Sequence, residues 1–480
     1  MPGVETILTD QPPSPSSPSD TGRVFAIQQS ERGPVDKPIL VRSLQEFTAK
    51  AGKRVPYSVM WDAVDGFFRE GGGILYYGRV VGPAAAPASL ILKNNSGANT
   101  LEIYACEPGE WGNGLTCQTI VTEGTYVFVI SLNGVEVERS PSLTDELDAV
   151  EWALNKSTHV RAKDLTAGSG NPVTHAAQAL TGGMDDRAKI TTANYETALA
   201  LNDPELGCGQ VAAPGISSEG VQKALLAHCE VSGRTPLLDD LDSTEASYHL
   251  EVANALRSST GSRRGAPFIP WGILPPLAPG LPERTVPYSM IQAGIIARND
   301  AKANPPLVNE PSAADPGPNG IGGISRSLIG LTASWDKATR EELNGAGINV
   351  ALIDTDAQIK TYGYRTLANQ EAEPAWVMLS ASRLFMYVAA EGKAVLKQFV
   401  LKQNDPDKAL IGRVGAELQG FLEKLAKSGQ LYNDPATAVD VGPSVNTPEV
   451  IAAKQLRARI AVKPSPIVET EYLEIGVEAV

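Results

Sequence analysis

The residues able to do chemistry are few, and their spacing suits none of the common reactions. Histidine stands at His159, His175, His228 and His249, and none of these falls in a His-Glu-x-x-His or other ligand spacing. His228 and Cys229 could join Cys208 in a metal set, but neighbours on an expected helix point in different directions. There is no Gly-x-Ser-x-Gly elbow, and Gly215-Ile216-Ser217-Ser218-Glu219-Gly220 has the wrong spacing. Gly320-Ile321-Gly322-Gly323-Ile324-Ser325 brushes against a dinucleotide fingerprint. It follows a proline-rich loop instead of a strand and lacks the last glycine, so it reads as a connector. A phosphate-binding P-loop is absent. What remains is Asp239-Asp240, after an expected strand in an α/β segment, where paired carboxylates could do acid–base work. The competing and favoured reading is a strand end or a cap for the next helix.

The bulk properties bound the answer further. A chain of 480 residues is too long for one core, so about two to four domains are expected. A net charge of −14 without any dense Lys/Arg run argues against nucleic-acid binding. The longest apolar runs are too short to span a bilayer. The start, Met1-Pro2-Gly3-Val4-Glu5, has neither the basic residues nor the apolar core of a secretory signal. Cys106, Cys117, Cys208 and Cys229 form no Cys-x-x-Cys pair, which suggests reduced thiols in a protein made in the cytoplasm.

The elements that must position any site follow from periodicity. Strands are expected at 23–27, 38–41 and 74–81, with a helix over 59–68 stopped by Gly71-Gly72-Gly73. Ser43 is placed to cap a short helix. After the Ala/Pro link at 83–87 the chain turns β-rich, with Asn133-Gly134 as a hairpin signal between 126–132 and 135–138. Helical spacing at Leu147, Val150 and Leu154 follows. From about Gly209 strands (210–213, 235–238, 266–269) alternate with helices (219–229, 244–258), the rhythm of a parallel sheet with crossover helices. Strands at 348–353 and 361–367 and a helical stretch over 376–400 come next. Asn404-Asp405-Pro406 is a cap for an amphipathic helix carrying Leu410, Val414, Leu418, Phe421, Leu422 and Leu425, ended by Gly429.

Both ends read as strands held away on proline spacers. Leu456 to Val462 alternates, Lys463-Pro464-Ser465-Pro466 interrupts it, and Leu473, Ile475 and Val477 then share one face of a last alternating run. At the start, Val4 and Ile7 lie in a strand-like run before a Pro/Ser-rich stretch. A lone strand needs a sheet edge, and a neighbouring copy is one source. The alternative is a frayed N-terminus and a C-terminal strand folded back on its own domain.

The order of several short stretches resembles the tail sheath proteins of contractile-tailed bacteriophages. They are Phe67 to Gly73 with Tyr76 to Val80; Gly109-Glu110-Trp111-Gly112-Asn113; Val211 to Pro214 with Arg234 to Asp240 and Phe268-Ile269-Pro270-Trp271; Leu343 to Asn349; Tyr362 to Leu367; and Asn446-Thr447-Pro448 followed by the alternating strand and Pro464. The proline-rich stretch 301–319 is longer than the corresponding family segment.

The resemblance implies a multidomain α/β and α+β fold, in which an inner α+β polymerisation domain built from N- and C-terminal segments carries a β-rich insertion and a subtilisin-like α/β insertion. The implied division is an N-terminal arm and linker (1–20), a first inner part (21–87), the β-rich insertion (88–168), the α/β domain (169–346), the C-terminal inner domain (347–463) and a C-terminal arm (464–480). It also implies a non-enzymatic structural subunit without cofactor, metal or catalytic residues. Such subunits would stack as six-fold rings into a helical sheath around a tail tube protein, with baseplate and tail terminator proteins as further partners. They would bind no nucleic acid and insert into no membrane. They would act in the virion tail, assembled in the host bacterial cytoplasm, with Val4, Ile7, Leu473, Ile475 and Val477 as inter-subunit arm strands. The rivals are the sheath of a non-phage contractile injection system, a subtilisin-like hydrolase and a tail-associated glycan-binding module.

Overall fold

A computed structural model describes residues 20–467, except 166–169, 309–322, 404–408 and 433. Both terminal arm strands, the cap at 404–406 and most of the proline-rich loop therefore lie outside the described residues.

The chain opens with β1 (Val24–Gln28), β2 (Ile39–Val41), α1 (Leu44–Ala51), α2 (Met60–Glu70) and β3 (Leu75–Arg79). Ser43 caps α1 by accepting the Glu46 N–H, and Gly71 ends α2 in the left-handed conformation, both as their residue types require. The β-rich unit follows, with β4 (Ser89–Lys93), β5 (Asn99–Ala105), β6 (Leu115–Thr122), β7 (Thr125–Leu132), β8 (Val135–Arg139), α3 (Glu146–Asn155), β9 (Val160–Asp164) and β10 (His175–Ala179). Then come α4 (Thr192–Ala200), β11 (Gln210–Ala212), α5 (Glu219–Ser232), β12 (Thr235–Asp239), α6 (Ala246–Arg257) and β13 (Ala266–Ile269). A short hairpin of β14 (Gly272–Leu274) and β15 (Arg284–Val286) leads into α7 (Tyr288–Asp300). After it stand β16 (Gly330–Leu331), α8 (Lys337–Gly345), β17 (Asn349–Ile353) and β18 (Ile359–Tyr362). The last unit holds α9 (Leu379–Lys397), α10 (Ala409–Lys427), β19 (Val439–Asp440), α11 (Pro448–Ala452) and β20 (Arg459–Ile460).

One eight-stranded sheet, in the order β18-β17-β13-β12-β11-β1-β3-β2, forms the body. Its central strands run parallel, with Val24 opposite Gln210 on one side and Leu75 on the other. All five residues of β1 are buried because helices cover both faces. Val24 and Ala26 enter the core beneath α1, α2 and α7, while Phe25 and Ile27 enter the core beneath α4, α5, α6 and α8. Helices α2 and α7 approach closely because glycines face the contact: a Cβ on Gly294 would stand 2.6 Å from the Phe67 carbonyl oxygen.

Strands from the expected segments 21–87, 169–346 and 347–463 thus share one sheet. The cores do not follow the expected boundaries at 169 and 347. The reason is that β1 is apolar on both faces and needs a paired neighbour on each edge, and these are β3 and the distant β11. The β-rich unit has its own core, running from Ala88 to Leu180, so it extends past 168; β10 pairs with β6. Asn133 and Gly134 both adopt positive φ, 51° and 84°, in the β7–β8 turn. Helix α3 forms over Leu147, Val150 and Leu154, yet Leu147 and Leu154 point outward and Ala149, Trp152 and Ala153 are buried. The expected strand at 361–367 keeps only its first two residues, because the chain leaves the sheet at Gly363, with φ 86°, and Thr366 N–H then turns to the Val377 carbonyl.

In the last unit, α10 turns Leu410, Val414, Leu418, Leu422 and Leu425 inward as the spacing predicts. Leu422 and Leu425 meet Leu384, Tyr387 and Val388 of α9. The expected strand over 456–462 shortens to β20, although Ile460 and Val462 do face this small core.

Candidate functional site

Asp239 ends β12, and its carboxylate accepts from Ser289 N–H at 2.9 Å, Ser289 Oγ at 2.5 Å and Gly215 N–H at 3.1 Å. It thereby ties the loop after β11 to the first turn of α7, where orphan N–H groups favour an anion. Burial pushes its pKa up to about 6, against the lowering effect of those hydrogen bonds. Asp240 accepts from His249 Nδ1 at 2.8 Å. His249 Nε2 faces the Ser243 carbonyl oxygen at 3.1 Å and is not offered to a hydroxyl. Ser289, the hydroxyl nearest in role to a nucleophile, is fully buried and spends its proton on Asp239, not on the imidazole. The space beside these groups is a cavity of about 10 Å³, the size of one water.

Hydrolysis needs a nucleophile, a base facing it and room for a substrate. This constellation instead locks four elements together, the end of β12, the loop after β11, α6 and α7. Of the favoured expectation, the strand end describes Asp239, whereas the next helix, α6, is preceded by Glu245 and receives no cap from either aspartate; the partners are His249 and Ser289. His249 lies nine residues along the chain and Ser289 fifty, on other elements, so no local pattern links either to the aspartates.

The Cys208, His228 and Cys229 set does not become a metal site. Arg234 sits among them, with Nη1 3.5 Å from His228 Nε2. That guanidinium donates to the carbonyls of Asn202, Asp203 and Gly207 and lies over the Phe25 ring at 3.6 Å. Burial, helped by Arg234, pushes His228 down to about 4. Among the described residues no group of three or more His, Cys, Asp or Glu could hold a metal ion, and no helix is long and apolar enough to cross a membrane.

The features suited to assembly lie elsewhere. The arm residues Val4, Ile7, Leu473, Ile475 and Val477 are outside the described residues, but both arm roots are visible. At the N-terminal root, buried Thr21 donates to Asp300 at 2.6 Å, and Asp300 also pairs with Arg383 of α9. At the C-terminal root, β20 pairs with β19 (Ile460 opposite Val439), Tyr432 N–H donates to the Lys463 carbonyl, and Leu431 bridges Pro464. Among the described residues this sheet has two strands of two residues each. A sheet that small is marginal alone, and an open edge is a template for another strand.

No protein-family model matches the chain, and no curated protein matches its sequence. Solved structures match over nearly its whole length. The sheath tail protein of Listeria innocua superposes with a TM-score of 0.65 at 13% identity, covering 93% of this chain and 92% of that one. The sheath tail protein of Desulfitobacterium hafniense gives 0.61 at 15% identity, covering 92% and 94%. The helical sheath of the anti-feeding prophage in its contracted state gives 0.55 at 15% identity, covering 99% of each chain. The multidomain α/β fold with several sheets is therefore the fold of contractile sheath proteins.

Proposed function

We propose that this chain is the repeating structural subunit of a contractile sheath. One observation carries the reading: the fold matches sheath proteins over nearly the full length of the chain. The two-stranded sheet at the C-terminal root supplies the physical complement. In this reading, the arm strands bearing Val4 and Ile7, and Leu473, Ile475 and Val477, extend the β19–β20 sheet of neighbouring copies. The unit around α9 and α10 faces inward with them, and the β-rich unit and the subtilisin-like α/β layer face outward as insertions. Subunits stack as six-fold rings around a tail tube protein, bounded by baseplate and terminator proteins. The assembly forms in the host bacterial cytoplasm. Contraction repacks the lattice and drives the tube through an envelope, with no nucleotide and no enzymatic step. The neighbours include sheath tail proteins and the sheath complex of an extracellular contractile injection system, so the second reading is the sheath of a non-phage contractile injection system.

The energetics of one arm are close to balance. About five backbone hydrogen bonds contribute roughly 0.5–1.5 kcal/mol each, and three apolar side chains roughly 1.5–3 kcal/mol each. Ordering about eight residues costs roughly 1–2 kcal/mol each. A single arm therefore does not hold two subunits together, whereas two arms and body contacts within one lattice do, through effective concentration. Negative-stain microscopy of the purified chain is expected to show long striated tubes. Removing Thr470 to Val480 is expected to leave a folded subunit that forms none; normal tubes from that truncation would defeat the arm mechanism.

A further inference from the structure

The stretch around β20 is basic in an otherwise acidic chain. From Lys454 to Lys463 it carries Lys454, Arg457, Arg459 and Lys463 and no acidic residue, against a net charge of −14 for the whole. Alternation sorts these side chains: Ile460 and Val462 face the α9–α10 core, while Arg457, Arg459 and Lys463 are exposed on the other face. Neither Arg457 nor Arg459 makes an ion pair among the described residues. Arg457 donates to Gln455 Oε1 at 3.1 Å, and Asp440, opposite Arg459 on β19, accepts from Ser444 Oγ and Gly442 N–H.

One edge of this strand is used. Ala461 N–H donates to the Ala438 carbonyl at 2.8 Å, Tyr432 N–H to the Lys463 carbonyl at 2.9 Å and Ser465 N–H to the Gln430 carbonyl at 3.0 Å. Successive residues of a strand turn their backbone groups to opposite edges. Ala458, Ile460 and Val462 therefore present theirs on the far side, where no described strand pairs with them. Pro464 lacks an N–H and ends that open edge.

Residues 468–480 have the complementary charge, with Glu469, Glu471, Glu474 and Glu478 and no basic residue. The strand-like run Val4 to Leu8 has one acidic residue, Glu5. If a strand from 468–480 lies on the open edge with Leu473, Ile475 and Val477 continuing the face of Ile460 and Val462, then Glu474 and Glu478 fall on the face of Arg457 and Arg459. A slip of one residue would turn the glutamates to the core and is excluded. The same chain is the poorer source of this strand. Its backbone runs on in one line to Ser465, past the end of the edge. Between Ser465 and Leu473 there is no glycine, asparagine or aspartate to turn it back.

We infer, resting on the sheath reading, that Arg457 and Arg459 are the specificity-determining residues of this edge. They select residues 468–480 of a second copy by pairing with Glu474 and Glu478.

The test uses the full chain alone, followed by thermal melting, sedimentation and microscopy. Arg457→Glu/Arg459→Glu and Glu474→Arg/Glu478→Arg each set like charges across the edge. Each is expected to melt like wild type and to raise the concentration needed for tubes by about tenfold or more. All four substitutions in one chain restore opposite signs and are expected to bring that concentration back to within about threefold of wild type. An equal mixture of the two double variants is expected to recover as well, since each arm finds its match on the other chain. Tubes from either double variant at the wild-type concentration, or no recovery in the combined variant, overturn the pairing and leave the sheath reading standing. Recovery in the combined variant but not in the mixture puts the segment on its own strand and overturns the second copy as occupant. If wild type makes no tubes, the sheath reading fails, and the same set is judged by sedimentation. Self-association lost in each double variant and regained in the mixture then supports the pairing, and any other pattern overturns it.

Discussion

The body and the C-terminal unit solve the same problem, satisfying buried polar groups, in opposite ways. In the body every central strand has a neighbour on both sides and a helix over each face, and several buried charges are paired: Arg284 with Asp62 and Asp65, Arg79 with Asp185, Arg298 with Glu70. Glu70 alone accepts from Arg298, from Ser325 and Ser327 Oγ and from the N–H groups of Arg326 and Ser327. The C-terminal unit has one small apolar cluster and, among the described residues, a sheet of two very short strands. The first is complete within one chain; the second has the form of an acceptor. On the reading proposed above, the difference teaches where a polymer of this fold would change shape without unfolding: at the C-terminal unit, whose small sheet strands from neighbouring copies would extend.

That contrast can be broken by unequal responses to core damage. Phe268→Ala removes a ring at the centre of the body and is expected to cost about 3–5 kcal/mol, lowering the main calorimetric transition. Leu422→Ala in α10 is expected to cost about 2–5 kcal/mol, but to appear as a separate early transition with the body's melting unchanged. A single transition shifted equally by both substitutions would show that the two regions are one cooperative unit.

A smaller effect sharpens the account of the body's sealed carboxylates. Asp239 has a folded-state pKa near 6, above the unfolded carboxylate value. The folded protein takes up this proton first, so the group's destabilising contribution is full above pH 6 and is relieved as pH falls from about 6 towards 4. Between pH 7 and pH 5 wild type is expected to gain about 1 kcal/mol from this group. Asp239→Asn should lose that component, measured as the difference in urea midpoints between the two pH values. The smallest effect is expected at the surface pairs of Glu205 with Lys393 and Lys397, which span body and α9. Exposed ion pairs add little, so Glu205→Gln should leave both calorimetric transitions in place. A shift in the early transition would show that surface charge, not the buried Arg383–Asp300 pair, holds α9 to the body.

What sequence makes legible here is local. Ser43, Gly71 and Asn133-Gly134 declare a cap, a stop and a turn because each residue type has its own backbone or hydrogen-bonding preference. The α10 stripe declares its buried face for the same kind of reason. On α3 that reasoning misleads, since the small residues Ala149 and Ala153 pack with Trp152 while larger leucines face out. Pairing across the chain is illegible: β1 beside β11, or Asp240 with His249, depends on which edge and which face is vacant once the rest has folded. The ordered set of short stretches resembling sheath proteins supplied what periodicity could not, the plan of the whole, but not the way its segments share one sheet.

The position of β1 has a consequence for synthesis. The first strand of the body lies between β3, which follows within some fifty residues, and β11, which begins at Gln210, and the helix that covers α2 ends only at Asp300. At translation rates of roughly 5–20 residues per second, the apolar face of α2 and one edge of β1 wait on the ribosome for roughly ten to forty seconds before their partners emerge. A nascent chain in that state needs shielding, so the yield of native subunits should depend on chaperone supply.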